Sequence, residues 1–176
     1  MTVLYVIACG SPVARDVGRL ITLGQKKNFN VCLVPTESAR PFLDIPALAE
    51  LTGNPVRSTF KHPGEPDLLP LPDAIIVAPA TVNTINKWAA GAADTLALAL
   101  LIEAHGLGIP IVAVPYTNSA MARHPAFQES LVRLKSWGVR VLYGDEVVKL
   151  HPPRAAHRAD FPWHLALRAL GEGWEA

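Results

Sequence analysis

Four short, uninterrupted apolar runs constrain the fold of this chain more than any other feature. They occupy residues 3–8, 31–34, 74–78 and 111–114, and a fifth run follows at 139–142. Strands buried on both faces of a parallel sheet have this pattern, whereas half-buried strands alternate apolar and polar residues. Segments with helical spacing separate the runs. The sequence therefore predicts an α/β chain with a three-layer α/β/α Rossmann-like (flavodoxin-like) fold and a parallel sheet.

Start and stop signals for helices lie between these runs. Ser11 is a favoured N-cap before a helix that Gly24 is expected to end, and Thr36 is expected to cap a second, short helix. A short strand is predicted at residues 56–59. Residues 61–70 are predicted to form a loop because prolines and glycines interrupt them.

Length and composition bound the organisation of the chain. Its 176 residues suit a single domain, 1–176, in which residues 151–176 form a linker and a C-terminal helix. The formal net charge of +1 gives no electrostatic reason to expect nucleic acid or an anionic membrane as a partner. Apolar residues make up 50% and charged residues only 18%, which favours a homo-oligomer that covers part of the apolar surface.

Cysteine and histidine usage points to a reducing environment without a metal site. Cys9 and Cys32 each lie within an apolar run, which is typical of buried thiols and not of a disulfide framework. No His or Cys pair has metal-ligand spacing. The N-terminal segment has no positive charge before its apolar run, and no apolar run is long enough to cross a bilayer. We therefore expect a cytoplasmic protein.

Polar residues follow the ends of the predicted strands, where ligands bind in parallel α/β sheets. Gly10 and Ser11 follow the first strand and open a helix, so their N–H groups and hydroxyl could hold a phosphate. Thr36 and Ser38 place two more hydroxyls after the second strand. Helix capping is the alternative interpretation of these hydroxyls. The absence of a GxGxxG pattern disfavours a dinucleotide site.

The most informative segment, residues 78–98, reads APATVNTINKWAAGAADTLAL. It resembles the PASANT region of the flavin-containing cysteine decarboxylases, a group that includes phosphopantothenoylcysteine decarboxylase and the lantibiotic decarboxylases. Gly10-Ser11 and PTESARPF (residues 35–42) resemble the phosphate loops of that family. Residues 114–138 resemble its PxMNxxMW segment and the helix that follows. The resemblance covers most of the chain.

The resemblance implies non-covalent binding of flavin mononucleotide (FMN). The phosphate and ribityl chain would lie near Ser11, Thr36 and Ser38, and the ring near Phe42 and residues 79–84. The expected cofactor-binding residues are Gly10, Ser11, Thr36, Ser38, Phe42, Ala78, Pro79, Ala80, Thr81, Asn83 and Thr84. Family members form trimers or assemblies of trimers, so the resemblance also implies a trimer or dodecamer with the flavin at a subunit interface.

The same resemblance fails at the residues that carry the family's chemistry. The family's catalytic histidine aligns with Glu65, and His62 lies three residues away. Asn118 matches the family asparagine that recognises the substrate carboxylate, with a cap or turn as its alternative role. Thr117 replaces a methionine, and Tyr143 replaces the cysteine that donates a proton in the coenzyme A pathway.

Three functions remain open at this point. The first is an FMN-dependent decarboxylase or redox enzyme acting on a small carboxylate or thiol, with Asn118 and either Glu65 or His62 taking part. The second is a catalytically silent, flavin-binding oligomer with a regulatory or partner-binding role. The third, flavin prenyltransferase, shares the broad fold but fits the PATVNT and Asn118 segments less well.

Overall fold

A five-stranded, all-parallel sheet forms the centre of the protein. The computed structural model describes residues 2–155 and 160–171. The strands are β1 (Val3–Ala8), β2 (Asn30–Pro35), β3 (Ala74–Ala80), β4 (Ile111–Pro115) and β5 (Arg140–Val141), in the order β2-β1-β3-β4-β5. Every neighbouring pair is parallel. This is the flavodoxin-like strand order, and it confirms the predicted fold class.

Helices cover both faces of the sheet. They are α1 (Gly18–Lys26), α2 (Ile45–Thr52), α3 (Val82–Ala89), α4 (Leu96–Gly106), α5 (Ser119–Ala122), α6 (Pro125–Ser136) and α7 (Trp163–Gly171). Two 3₁₀ helices, Pro12–Asp16 and Glu37–Phe42, directly follow the ends of β1 and β2. The helix α7 agrees with the predicted C-terminal helix, whereas residues 156–159 and 172–176 of the predicted linker and helix region lie outside the described residues.

Alternation along the strands separates two apolar cores. In β1, Tyr5 and Ile7 face a core shared with α3, α4 and α6, whereas Leu4 and Val6 face a core shared with α1, α2 and α7. All six residues of β1 are buried, as the apolar run predicts. Burial of one such Leu or Ile side chain contributes about 1.5–3 kcal/mol. The two cores therefore hold the strand ends, and the loops that follow them, in fixed positions.

Two local predictions are wrong, for reasons that lie in packing. The helix α1 continues through Gly24 to Lys26. A Cβ atom at Gly24 would lie 2.9 Å from the Val31 side chain, so this glycine allows helix and sheet to approach and does not end the helix. Residues 56–59 form no strand. Instead, Ser58 is buried and accepts a hydrogen bond from the Arg40 guanidinium at 2.9 Å.

Candidate functional site

The loops after β1, β2, β3 and β4 meet at the carboxyl edge of the sheet. The strand order reverses between β1 and β3, which is where ligands bind in open α/β sheets. The Cys9 N–H donates to the Pro79 carbonyl at 3.0 Å across this point. On either side, the Thr36 N–H donates to Ala8 and the Tyr116 N–H donates to Ala80, both at 2.9 Å. These bonds hold four predicted site segments together.

Gly10 provides the close contact between the first two loops. A Cβ atom at this position would lie 2.5 Å from the Ser38 carbonyl oxygen and 2.6 Å from the Ser38 hydroxyl oxygen. Any side chain at residue 10 would therefore push the two loops apart. The structure brings together Gly10 and Ser38, which the sequence placed at the ends of separate strands.

The Ser11 hydroxyl is the clearest unsatisfied group in the site. Ser11 is only 6% exposed, and its hydroxyl oxygen has no hydrogen-bond partner among the described residues. It occupies the N-cap position of the helix Pro12–Asp16 but makes no side-chain cap bond. Buried hydroxyls nearly always have a partner, so this one is poised to bind a group from outside the chain.

Thr36 and Ser38 add a second pair of hydroxyls. Their oxygens lie 3.1 Å apart at the start of the helix Glu37–Phe42, and Thr36 makes no side-chain cap bond there. Ser11 and Thr36 therefore occupy the predicted N-cap positions, but neither hydroxyl makes the capping hydrogen bond. The three hydroxyls and the N-termini of the two 3₁₀ helices follow the adjacent strands β1 and β2. This arrangement suits the oxygens of one phosphate.

The end of β3 is small and apolar, and the turn that leads from it into α3 is polar. Ala78 and Ala80 are fully buried, and the Ala78–Pro79 peptide bond is cis. The Thr81 and Thr84 hydroxyls share a hydrogen bond at 3.2 Å. Asn83 is exposed at the start of α3, so its side chain is available to a ligand or a neighbouring subunit. The polar groups of this segment therefore lie at the N-terminus of α3, directly after the buried end of β3.

Cys9 is buried next to this segment, and its thiol is expected to be unreactive. Burial raises the pKa of the Cys9 thiol, and hydrogen bonds with Thr84 and Thr81 oppose the shift without reversing it. A buried, protonated thiol is a poor nucleophile. Cys9 therefore belongs to the core, as its apolar surroundings in the sequence predict.

Asn118 has a fixed orientation at the end of β4. Its side-chain oxygen accepts hydrogen bonds from the Ala120 N–H at 3.0 Å and the Met121 N–H at 2.9 Å, so the predicted N-cap role is confirmed. Because the oxygen is engaged, the amide nitrogen is the group that Asn118 presents as a donor. The adjacent Thr117 is 8% exposed, and its hydroxyl has no partner among the described residues.

A family model named Flavoprotein matches residues 2–158, which is most of the chain. The chain belongs to the Flavoprotein family. A cysteine/cysteine sulfinic acid decarboxylase from an unidentified prokaryote is 38% identical over 101 residues, which make up 54% of this chain and 27% of that protein. The coenzyme A biosynthesis bifunctional protein CoaBC of Thermococcus kodakarensis is 31% identical over 144 residues, or 76% of this chain and 34% of that protein.

The crystal structure of the FMN-dependent cysteine decarboxylase SpaF superimposes with a TM-score of 0.71 at 27% identity, covering 81% of this chain and 83% of SpaF. The resemblance to flavin-containing cysteine decarboxylases is thereby confirmed. The chain spans about a third or less of the length of the curated relatives it matches.

Among the described residues, the other predicted site residues make no hydrogen bond with the Ser11, Thr36 or Ser38 hydroxyls of this Flavoprotein family member. Phe42 is half-buried at the end of its 3₁₀ helix. His62 and Glu65 are exposed on the loop between α2 and β3, where the Glu65 carboxylate accepts a hydrogen bond from the His62 N–H at 2.9 Å. Within the described part of the chain, no hydrogen bond joins this pair to Asn118. Tyr143 packs edge-on against Phe127, with ring centroids 5.7 Å apart, which is a core contact.

The tertiary structure also adds a residue that the sequence did not single out. The His151 carbonyl accepts a hydrogen bond from the Ser119 N–H at 2.9 Å, and Asn118 and His151 form an isolated parallel bridge. The His151 ring lies 5.4 Å from the Tyr116 ring. Residues near 151 therefore fix the backbone that carries Asn118. No local pattern marks this role, because the partners are far apart in the chain.

No helix within 2–155 or 160–171 has the length and apolar character required to span a membrane. In the same part of the chain, no cluster of three or more His, Cys, Asp or Glu side chains has an arrangement that could hold a metal ion.

Proposed function

We propose that this protein binds FMN non-covalently and acts as a decarboxylase or redox enzyme on a small carboxylate that carries a thiol or oxidised sulfur. The observation that carries the proposal is the buried, unpartnered Ser11 hydroxyl beside the Gly10–Ser38 contact. Family membership and the names of its relatives support the same cofactor and reaction class. Residues 1–176 would form one flavoprotein domain.

The phosphate of FMN would be held by the three hydroxyls. Ser11 would donate its unpaired O–H, and of the mutually bonded Thr36 and Ser38 the hydroxyl that accepts the bond between them would donate from the neighbouring loop. A hydrogen bond to a charged group contributes about 1.5–3 kcal/mol, so this set would account for much of the affinity. The ring would pack against the Ala78–Ala80 backbone, with Thr81, Asn83 and Thr84 at its rim and Phe42 nearby.

The substrate carboxylate would be held by Asn118 through its amide nitrogen, since its oxygen is already engaged. The Thr117 hydroxyl, buried beside it, offers a second donor. Bound flavin would supply a two-electron acceptor for oxidation of the substrate. Proton transfer would fall to Glu65 or His62, and general-base help of this kind contributes typically about 10²–10⁴-fold to a rate.

A silent, flavin-binding protein is the second candidate, and one observation favours it. Glu65 and His62 are exposed, the Glu65 carboxylate bonds the His62 backbone N–H, and neither side chain bonds Asn118 within the described chain. Tyr143, at the position of the family's acidic cysteine, is engaged in core packing. A protein that keeps the flavin site and lacks an assembled proton-transfer site would act through binding.

Assembly into a homo-oligomer, as a trimer or dodecamer, belongs to the same proposal. The helix α4 carries apolar residues on all sides, and Leu107 just after it is 64% exposed. A helix that is apolar all round is normally buried, so a neighbouring subunit would cover it. The free, buried Cys9 and Cys32 are compatible with a reducing, cytoplasmic location.

The decisive experiment is an absorbance spectrum of the purified protein, with the released chromophore identified by mass spectrometry. We expect flavin bands at near-stoichiometric level and a mass equal to that of FMN. Thiol carboxylates would then be screened for release of carbon dioxide, with Asn118→Ala as the inactive control. A colourless protein that takes up no added FMN would exclude the flavoprotein function. Full FMN loading without turnover of any thiol carboxylate would favour the silent protein.

A further inference from the structure

A cavity rich in positive charge lies beside the 3₁₀ helix Glu37–Phe42. It has a volume of about 470 Å³ and lies between that helix and the loop of residues 56–68. Three cationic side chains line it: Arg40, Arg57 and Lys61. Since the whole chain has a formal net charge of only +1, this concentration of positive charge is local.

Two of the three cations, Arg40 and Arg57, form no ion pair among the described residues, although Asp67 lies near enough for the Arg57 charge to contribute to its lowered pKa. Lys61 pairs with Asp67 at 2.8 Å, which neutralises its charge and holds the pKa of the Asp67 carboxyl below its usual value. Arg40 donates to the Ser58 hydroxyl oxygen and Arg57 donates to the Thr59 carbonyl at 3.3 Å, both neutral acceptors. Neither guanidinium has a carboxylate within ion-pair distance among the described residues.

The remaining polar groups of the cavity are one buried hydroxyl and one carboxylate. Ser58 is 7% exposed, and its oxygen accepts from Arg40, so its hydrogen is left to donate. Glu65 is the one carboxylate among the lining residues; it accepts a hydrogen bond from the His62 backbone N–H, and its charge offsets only one of the two guanidinium groups. Two guanidinium groups and a buried hydroxyl form a set of donors that matches the oxygens of a carboxylate or phosphate.

We propose that this cavity binds an anionic group, a carboxylate or a phosphate, on a ligand other than the flavin. Arg40 follows Ser38 by two residues, so one 3₁₀ helix carries both a cavity residue and a hydroxyl of the proposed flavin site. His62 and Glu65 line the same cavity. A substrate bound here would be anchored through its anionic end next to the residues predicted for proton transfer. The inference goes beyond the proposed function, in which Asn118 and Thr117 bind substrate.

The test is calorimetric titration of the FMN-loaded protein with inorganic phosphate and with malonate, at constant ionic strength maintained with sodium chloride. We expect saturable binding to one site per chain. Arg40→Gln and Arg57→Gln should each weaken it at least about tenfold, the loss of one charge-assisted contact. Arg19→Gln, an exposed arginine on α1 with the same charge change, should leave it unchanged. Tighter binding of phosphate than of malonate would assign a phosphorylated ligand, and the reverse order would assign a carboxylate.

Three results would overturn the proposal. The first is the absence of saturable anion binding, and the second is anion binding that Arg19→Gln weakens as much as the cavity variants do. The third is anion binding that occurs without FMN but is lost when FMN is loaded, since the anion would then have occupied the flavin phosphate site. If Arg40→Gln unfolds because the Arg40–Ser58 hydrogen bond is lost, the anion affinity of Arg57→Gln still tests the proposal. The visible spectrum of the same samples reports FMN loading separately. A protein without FMN would fail the proposed function, while the same titration of the apoprotein would still test the cavity.

Discussion

Replacement of Ser11 by alanine tests the phosphate site through two measurements that should change in opposite directions. The Ser11 hydroxyl is buried without a partner, and such a group costs about 1–3 kcal/mol. Alanine removes this cost and loses no helix cap, because Ser11 makes no cap bond. The free energy of unfolding of the apoprotein should therefore rise by about 1–3 kcal/mol. For a chain of this length the thermal midpoint should rise by about 2–12 °C.

The affinity of the same variant for FMN should fall. Loss of one hydrogen bond to a charged phosphate is worth about 1.5–3 kcal/mol, or about 10–150-fold in the dissociation constant. Fluorescence titration measures this change, and riboflavin, which lacks the phosphate, should bind both proteins alike. Ser136→Ala, an exposed serine on α6, is the matched control. A variant that is less stable without flavin, or that binds FMN as tightly as the parent protein, would refute the reasoning.

Three further changes test other parts of the structure. Gly10→Ala should destabilise the protein by about 1–3 kcal/mol in urea unfolding and weaken FMN binding at least tenfold, because its Cβ would lie 2.5 Å from the Ser38 carbonyl oxygen. Thr117→Val should raise the unfolding free energy by about 1–3 kcal/mol, since it replaces a buried, unpartnered hydroxyl with a methyl group of similar size; a lower value would reveal a hidden partner. Burial raises the pKa of the Cys32 thiol from 9.0 to about 11, so the folded chain keeps a proton that the unfolded chain loses above pH 9. The free energy of unfolding should therefore fall as the pH rises from 9 to 11. In urea unfolding, Cys32→Ala should reduce that fall by up to about 2.7 kcal/mol across this range. The same dependence of unfolding free energy on pH in the variant would contradict the raised pKa of Cys32.

Local patterns predicted the elements well where one signal dominated. The run at residues 3–8 became β1 with every residue buried, because only a strand between two helix layers buries all of its side chains. The prediction failed where a residue has two uses. Glycine is a common signal for the end of a helix, yet Gly24 lies within α1. A glycine is needed there because the Val31 side chain leaves no space for a Cβ atom. The residues around position 24 contain no sequence pattern that indicates how closely β2 approaches the helix.

The site was predicted in its segments but not in its contacts. Resemblance identified Ser11, Thr36 and Ser38, and the strand ends predicted that their loops would gather at one edge. Whether a hydroxyl caps its own helix or stays unpaired depends on angles set by the surrounding packing. Asn118 did cap its helix, whereas Ser11 and Thr36 did not. The bridge from Asn118 to His151 joins distant segments, so no window of sequence could reveal it.

The sequence by itself determined the α/β class, the buried strands, the loops that end them and the family, because apolar periodicity and short motifs act over a few residues. Only the tertiary structure decided the strand order β2-β1-β3-β4-β5, since the apolar runs are too alike to specify their neighbours. It also decided that Arg40 reaches the buried Ser58 and that Ser11 is left without a partner. These outcomes depend on distances between segments far apart in the chain, and those distances are set by the packing of helices on both faces of the sheet.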